Sequence, residues 1–436
     1  NLVEQAQAGK PPMAKTADRI SSWMAPAIVA IAMVTFLSWL LLPSRPHLDR
    51  ALVCAVSVLV VACPCALGLA TPTAVTVAMG RAARSGILIR HAEILQKTAS
   101  LNTIVLDKTG TLTEGKLRVT RMETTDGFSQ DALLRLAASA EIRSEHPIGR
   151  AIVRHAEKRG IQPFEPGEFR ALEGHGVECQ VQNRNVLIGN TRLMVHHHIP
   201  LDGKIFLCLE TAAARGETIA CIAVDHRFAG FVSVADTLRK EAPETVARLR
   251  RMGLEPVMIT GDNRQTAQAV ADQLGIASVR AEIPPTEKAR QIRQIQMSGQ
   301  KTAMVGDGIN DAPALAQADV GMALGAGTDL AIAASDVTLP GNNLAAIPDM
   351  IDLCRKTMTV IKQNLFFAFF YNIIAIPIAA GLLVPVMGIH LNPMIAGAAM
   401  ALSSVSVMIN SLRLGRALET SFWPLGSHPS HPPDPC

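Results

Sequence analysis

The chain has 436 residues, enough for two or three domains. It is 49% hydrophobic and only 18% charged, with a mean hydropathy of +0.25. That is too apolar for an ordinary soluble enzyme and points to a membrane protein with a soluble part. The net charge of +4 is small and dispersed and gives no argument for nucleic acid as a partner.

Eight cysteines scattered over so long a chain form no small disulfide framework, so reduced thiols in the cytosol or the membrane are expected. The first residue is Asn1 and the opening residues are polar, without a signal peptide; a processed chain or a piece of a longer one is expected.

Residues 1–22 read as a cytosolic lead-in carrying Lys10, Lys15 and Arg19. From Ile20 to Ser44 there is no charge, and Trp23 and Trp39 stand near the ends of the run, the pattern of a membrane span with interfacial aromatics. Pro43-Ser44-Arg45-Pro46 is a short turn, and Ala51 to Gly80, again free of charge, is long enough for a second span. Arg81, Arg84, Arg90 and Lys97 follow, and a soluble stretch runs to about Leu353. A third apolar run covers Asn364 to Val384, and a short loop from Pro385 to Pro393 leads to a fourth, from Met394 to Leu412, closed by Arg413 and Arg416. The excess of Lys and Arg places the soluble stretch and both termini in the cytoplasm, with Arg45 and Arg50 as a mild exception. Residues 416–436 end in a Pro/His/Ser-rich tail expected to be disordered.

Within the soluble stretch, Val119 to Phe231 mixes short strands with one helix near Ala132 to Arg159. Pro243 to Ile276 alternates helix, strand (Pro256 to Ile259) and helix; Lys301 to Val305 and Val320 to Ala323 are further strands. Strands alternating with helices imply a doubly wound parallel sheet. The apolar run Asn102 to Leu106 belongs to it although it lies far upstream, so a smaller domain is inserted after Gly115.

Asp107-Lys108-Thr109-Gly110-Thr111-Leu112-Thr113 follows that upstream strand. A carboxylate at the C-terminal end of a parallel strand sits where open α/β sheets place their chemistry. With Lys108 and the hydroxyls beside it, Asp107 suits a nucleophile that attacks a phosphoryl group and carries it covalently. Two other strand ends carry polar turns: Thr260-Gly261-Asp262-Asn263, and Gly306-Asp307-Gly308-Ile309-Asn310-Asp311. Taken singly these are ordinary turns, but three on one rim converge. Asp107 and Asp307 are candidates to share a Mg2+, a hard cation that takes oxygen ligands, and Lys288 is a candidate phosphate clamp.

The three motifs, in this order, resemble those of P-type ATPases. The resemblance covers the chain from Asn1 to Leu414. It implies that Asp107 is phosphorylated by ATP and that Thr109, through its carbonyl, and Asp307 help to hold Mg2+. It also implies that Lys108, Thr260, Gly261 and Asp262 line the phosphate site, that Lys288 stabilises the transferring phosphoryl, and that Asn310 and Asp311 complete the pocket. The implied fold is a multidomain membrane protein: a four-span α-helical transmembrane bundle, a cytosolic α/β haloacid-dehalogenase-like phosphorylation domain, and an inserted α+β nucleotide-binding domain. Its expected parts are a lead-in at 1–22, two spans within 23–96, the phosphorylation domain at 97–117 and 231–353, the nucleotide-binding domain at 118–230, and two more spans within 354–415.

The inserted part lacks a P-loop. It has Ser144-Glu145-His146-Pro147 at a helix start and Gly174-His175-Gly176 in a turn, which by themselves read as a cap and a tight turn. They are similar to the His-Pro and Gly-x-Gly motifs of the heavy-metal-transporting subgroup. By that likeness Glu141, His146, Gly174, Gly176, Gly189 and Asn190 hold the adenine and ribose of ATP. His196, His197 and His198 cannot all face one ion on a regular element and read as a loop.

Cys63-Pro64-Cys65 interrupts the second span, and thiolates favour soft ions such as Cu(I), and also Zn2+. Tyr371 and Asn372 lie in the third span; Met400 and Ser404, one turn apart on one face, lie in the fourth. Neither span contains an Asp, Glu or Lys, which a divalent ion would need. These residues resemble the copper-transporting members, so Cys63, Cys65, Tyr371, Asn372, Met400 and Ser404 are the implied ligands of Cu(I), with Ag(I) following and Zn2+ or Cd2+ as the alternative cargo.

The resemblance further implies an integral protein of the lipid bilayer, in the cell (inner) membrane, that exports copper handed over by a cytosolic copper chaperone. No Thr-Gly-Glu actuator motif and no Cys-x-x-Cys metal-binding motif occurs in the cytosolic part of this sequence. The expectation is therefore the C-terminal portion, or a deletion form, of a longer pump that turns over poorly alone. Competing readings are a soluble-type phosphatase of the haloacid dehalogenase superfamily and a non-cycling copper-binding or regulatory membrane protein.

Overall fold

The computed structural model describes residues 12–41, 48–62, 65–125, 127–172, 174–201, 203–307, 311–325, 329–384 and 392–417. The expected turn at Pro43 to Pro46, the start of the lead-in, most of the loop from Pro385 to Pro393 and the tail beyond Ala417 lie outside them.

The first apolar run forms helix α1 (Pro12–Leu41). The second apolar run, expected to be interrupted at Cys63-Pro64-Cys65, forms two helices, α2 (Leu48–Val61) and α3 (Cys65–Arg84). A proline has no N–H for the helix ladder and its ring strikes the preceding turn, which separates the two. Strand β1 (Leu88–Ile89) and helix α4 (Glu93–Ala99) lead into β2 (Thr103–Asp107). The inserted part then runs β3 (Thr113–Thr124), α5 (Gln130–Glu141), α6 (Pro147–Lys158), β4 (Phe169–Leu172), β5 (Gly176–Val181), β6 (Arg184–Gly189), α7 (Thr191–His196), α8 (Gly203–Ala214), β7 (Thr218–Val224) and β8 (Arg227–Leu238). The alternating part follows as α9 (Ala242–Arg251), β9 (Glu255–Ile259), α10 (Arg264–Leu274), β10 (Ser278–Arg280), α11 (Pro285–Met297), β11 (Thr302–Gly306) and α12 (Ala312–Gln317). The chain ends through β12 (Val320–Leu324), α13 (Asp329–Ala334), β13 (Val337–Leu339), α14 (Ala346–Ala379) and α15 (Pro393–Ala417).

The single helix expected near Ala132 to Arg159 is α5 and α6. His146 is the N-cap of α6, accepting the Ile148 N–H on its Nδ1, and Pro147 takes the first position, where no N–H is needed.

The chain divides into two compact units. The first holds residues 1–101, 319–326 and 335–436. Among the described residues, three helices are long and apolar enough to cross a membrane: α1 over Ser22–Leu41, α14, and α15 over Pro393–Gly415. The second span expected from the sequence, Ala51 to Gly80, corresponds to the α2–α3 pair, neither of which meets that standard alone. Helix α3 packs against both α14 and α15, which also pack on each other. Leu67, Ala70, Ala368 and Val407 form the buried contact between them. Within the same unit β1 pairs antiparallel with β13, and β13 parallel with β12.

The second unit holds residues 102–318 and 327–334. Its parallel strands stand in the order β11-β2-β9-β10. All five residues of β2 are buried, as expected of a strand covered on both faces. Val105, Val257, Ile259, Ile292, Ile295, Met304 and Leu315 make the core between the strands and α11–α12. The chain leaves this sheet through β3 and returns through β8, which pair antiparallel from Thr113↔Leu238 to Thr124↔Gly230. These two are the first strands of a six-stranded antiparallel sheet, β3-β8-β7-β6-β5-β4. Helices α5 and α6 cover one face of it through Leu133, Leu134 and Ile152; Leu193, Met194 and Ile199, in and after α7, pack with Leu187, Cys221 and Ala223.

Candidate active site

Asp107 is the last residue of β2 and is 4% exposed. Directly after it, Lys108 to Leu112 make one tight turn in which Gly110 adopts φ +78°. A Cβ at Gly110 would overlap the Asp307 carboxylate, so only glycine allows the turn to close against the end of β11. The sequence places Asp107 and Asp307 two hundred residues apart; the parallel pairing of β2 with β11, from Thr103↔Thr302 to Leu106↔Val305, brings their ends together.

Lys288, on α11, joins the two loops. Its Nζ donates to Asp107 Oδ1 at 2.6 Å and to Asp311 Oδ1 at 2.7 Å. All three side chains are buried. Asp107, Asp307 and Asp311 each offer an oxygen within 4.8 Å of the others; among the described residues this is the one group of acidic, His or Cys side chains able to hold a metal ion. Burial, and then the neighbouring carboxylate of Asp311, push the Asp107 pKa from its ordinary 3.8 up to about 7, against the pull of Lys288. Asp307 is raised for the same reasons, burial first and Asp311 next, with Arg239 and Lys288 opposing. Lys288 is itself shifted upward: burial lowers it, but the attraction of Asp107 and Asp311 outweighs that cost.

The second polar turn faces the same rim, since β9 pairs parallel with β2 and sets Ile259 opposite Asp107. Lys108 forms an ion pair with Asp262. Thr260 is buried, and its hydroxyl accepts the Asp262 N–H at 3.1 Å; Gly261 lies near the Ile283 carbonyl. Thr109 is exposed at the rim. Asn310 falls outside the described residues.

The three carboxylates, all oxygen donors and two of them buried, fit a hard divalent cation. Lys288 then neutralises only part of their charge. The residues that would hold Mg2+ are Asp107 and Asp307, with Asp311 beside them and the Thr109 carbonyl within the same loop.

A second group forms in the antiparallel sheet. Gly176 has φ +144°, and a Cβ there would strike the Ile188 carbonyl of β6. The Asn190 side chain caps α7 by accepting the Leu193 N–H at 3.1 Å and donates to the Gly174 carbonyl at 2.9 Å. Asn190 N–H donates to the His175 carbonyl, against which Gly189 also lies. Gly174, Gly176, Gly189 and Asn190 thus form one cluster. Glu141 ends α5, buried, with Oε2 lacking a hydrogen-bond partner. Burial raises its pKa, a Ser144 hydrogen bond opposing. It lies close enough to β5 that, after burial, its charge is the next cause of the raised thiol of Cys179. His146 is exposed at the start of α6.

The histidine run is a helix end: His196 closes α7, His197 is its C-cap, and His198 has φ +54°. Of the soft-metal candidates, Cys63 lies outside the described residues and Cys65 is the first residue of α3. Tyr371 and Asn372 lie on α14, and Met400 and Ser404 on α15. The helices that carry them pack together.

Residues not singled out in the sequence also shape these sites. Arg239 donates from Nε to the Thr111 carbonyl at 2.8 Å and from an Nη to the Gly110 carbonyl at 2.6 Å. In the membrane unit Asn364, fully buried, donates to the Ala70 carbonyl at 3.1 Å and to Ser411 Oγ at 2.9 Å, and accepts from Asn410 at 2.9 Å. Asn364 follows Lys362 and Gln363 at the edge of the apolar run, so the sequence carried no signal that it is buried.

A buried carboxylate at a parallel strand end, a lysine bridging it to a second loop, and an acidic cluster are the arrangement of a haloacid dehalogenase-type site. The family model for haloacid dehalogenase-like hydrolases matches residues 101–319. A copper-exporting P-type ATPase of Legionella pneumophila is 46% identical over 415 residues, 95% of this chain and 56% of that protein. A probable copper-transporting ATPase of Synechococcus elongatus is 49% identical over 423 residues, 95% of this chain and 55% of that protein. Among solved structures, a zinc-transporting PIB-type ATPase in its E2.Pi state is 34% identical with a TM-score of 0.81, covering 95% of this chain and 66% of that one. The chain belongs to the haloacid dehalogenase-like hydrolases and, within them, to the P-type ATPases. It spans about half the length of the curated relatives it matches.

Proposed function

We propose that this chain is the catalytic and ion-conducting part of an ATP-driven exporter of Cu(I), and that Asp107 is the residue phosphorylated by ATP. The observation that carries this reading is the bridge from Lys288 to Asp107 and Asp311, beside Asp307, at the ends of β2 and β11. Such a cluster suits a reaction that brings a highly anionic group and a cation to this rim. Residues 118–230 bind ATP through Glu141, His146, Gly174, Gly176, Gly189 and Asn190, and residues 97–117 and 231–353 form the phosphorylation domain.

The Asp107 carboxylate attacks the γ-phosphorus. The bond from that phosphorus to the bridging oxygen breaks, ADP leaves with the electron pair, and an acyl phosphate remains on Asp107. Lys288 places its positive charge beside the transferring oxygens, and Lys108 is held by Asp262 at the same rim. Bound Mg2+ would neutralise phosphate charge so that an anionic carboxylate can approach it. Cys63, Cys65, Tyr371, Asn372, Met400 and Ser404 carry the cargo: thiolate and thioether donors without an intramembrane carboxylate suit a monovalent soft ion, Cu(I) and also Ag(I). A cytosolic copper chaperone delivers it, and the soluble units face the cytoplasm of the cell membrane.

Radiolabelled ATP added to the purified chain in lipid nanodiscs tests this. Acid-stable, hydroxylamine-sensitive label that depends on Cu(I) and is lost in Asp107→Asn and Cys63→Ser supports it. Copper binding with no label in any condition refutes the catalytic reading and favours a non-cycling copper-binding protein.

A further inference from the structure

The return strand from the inserted sheet ends against the loop that follows Asp107. Strand β8 pairs with β3 as far as Thr113↔Leu238, and Arg239 is the next residue. Its backbone N–H donates to the Leu112 carbonyl at 3.0 Å. With the two guanidinium bonds to Thr111 and Gly110, one residue holds three successive carbonyls of the loop. Arg239 is only 9% exposed. Three residues upstream, the Asp236 carboxylate accepts the Lys116 N–H at 3.1 Å and contacts the Thr113 hydroxyl. That hydroxyl also lies 3.0 Å from the Lys108 carbonyl and receives the Gly110 N–H at 3.1 Å.

All of these bonds but the one from Lys116 end on the Lys108–Thr113 segment. A guanidinium offers its donors in a fixed planar fork, so two neighbouring carbonyls can be held only in one relative direction; a lysine ammonium cannot reproduce this. The direction matters because Gly110 packs on the Asp307 carboxylate and Thr109 precedes it. The charge of Arg239 also favours ionised Asp307.

We propose that Arg239, supported by Asp236, is a positioning residue for phosphoryl transfer to Asp107. It fixes the path of the 108–112 loop, and through it the approach of the Thr109 carbonyl and the Asp307 carboxylate to a shared cation. Because Arg239 terminates β8, the loop takes the path that the inserted sheet gives it, so seating of nucleotide on that sheet is felt at Asp107. This rests on the phosphoenzyme reading above.

The test compares the full chain with Arg239→Ala, Arg239→Lys and Asp236→Asn by three measurements. Amide hydrogen exchange over 108–113 accelerates about tenfold or more in Arg239→Ala, while β4 to β7 keep wild-type rates. Binding of a fluorescent ATP analogue stays within about twofold of wild type, whereas the Mg2+ concentration for half-maximal phosphoenzyme rises about tenfold, the loss of one charge-assisted hydrogen bond. Arg239→Lys does not restore this, and added guanidinium restores it partly in Arg239→Ala. The proposal is overturned if loop exchange is unchanged, if it rises equally through the inserted sheet, or if Arg239→Lys equals wild type in Mg2+ dependence. Should the wild-type chain form no phosphoenzyme, the phosphoenzyme reading fails, and the exchange measurement still decides the role of Arg239 in holding the loop.

Discussion

Replacing Lys288 by Ala gives the most direct test of how the site is held together. Lys288 is bonded to two buried carboxylates, at 2.6 and 2.7 Å, and it supplies both of the influences that lower the Asp107 pKa. Removing it leaves Asp107 beside Asp311 and Asp307 with burial and like-charge repulsion unopposed, so Asp107 titrates above its present value of about 7. At neutral pH more of it is then protonated and unable to attack phosphorus. Removing one preorganised donor aimed at the charge of a transition state costs about 2.7–4 kcal/mol, so phosphoenzyme formation is expected to slow roughly 100-fold to 1000-fold. The assay is the single-turnover rate of labelling from radiolabelled ATP between pH 6 and about 9, at saturating Mg2+. Two results are expected together: a slower plateau, and a profile whose rising limb moves to higher pH. A Lys288→Ala protein that labels within about threefold of wild type, with a superimposable pH profile, would show that the bridge is not part of the chemistry.

Asp107→Asn abolishes the label but stabilises the Mg2+-free protein at alkaline pH. The folded pKa of Asp107 is raised above its ordinary 3.8 to about 7, so its contribution to stability is present below pH 3.8 and is lost as pH rises through about 7. Between about pH 5 and about pH 8.5 roughly two pK units of that shift are crossed, worth on the order of 3 kcal/mol, and chemical denaturation at those two pH values reads it; an equal effect of the substitution at both refutes the assignment. Gly176→Ala forces a Cβ into the Ile188 carbonyl at φ +144°, costs about 1–3 kcal/mol locally, and is expected to weaken binding of an ATP analogue, measured by fluorescence, without altering labelling by acetyl phosphate. Asn364→Leu removes the three hydrogen bonds that tie α14 to α3 and α15, and is expected to lower resistance to unfolding in a denaturing detergent titration by about 1–2 kcal/mol; unchanged resistance refutes a holding role for that node.

The alternating elements were legible because each obeys a local rule. The β2 and β11 runs are continuous apolar segments ending in Asp or Gly-Asp, and such runs are strands covered on both faces. Two prolines decide where helices stop, and at one of them, Pro147, expectation and structure part. Pro147 reads equally well as a residue within a long helical stretch or as the first residue of a new helix, and only the capping His146 decides it. Pro64 reads as a break within the second span, and the helices before and after it, fourteen and twenty residues long, agree with that reading. The paired β1 and β13 are two and three residues long, too short to show any period in the sequence.

The site itself was legible where chemistry is written in side chains next to one another, and illegible where it depends on pairing across the chain. Asp107 ends a strand and Asp262 and Asp307 follow one, so their convergence comes from parallel register. Lys288 was a candidate phosphate clamp in sequence, and its burial between two carboxylates is what the structure adds. Arg239 gave no sign at all, because its partners are backbone carbonyls, which every residue possesses. The carboxylates supply the reaction, but nothing in their own sequence fixes their mutual angle. That angle depends on the glycine that lets the loop meet Asp307, and on a guanidinium arriving from a strand 127 residues away from Leu112. A substitution that leaves every motif residue in place can therefore disable this site, and the hydrogen bonds of the 108–112 loop are where such a substitution acts.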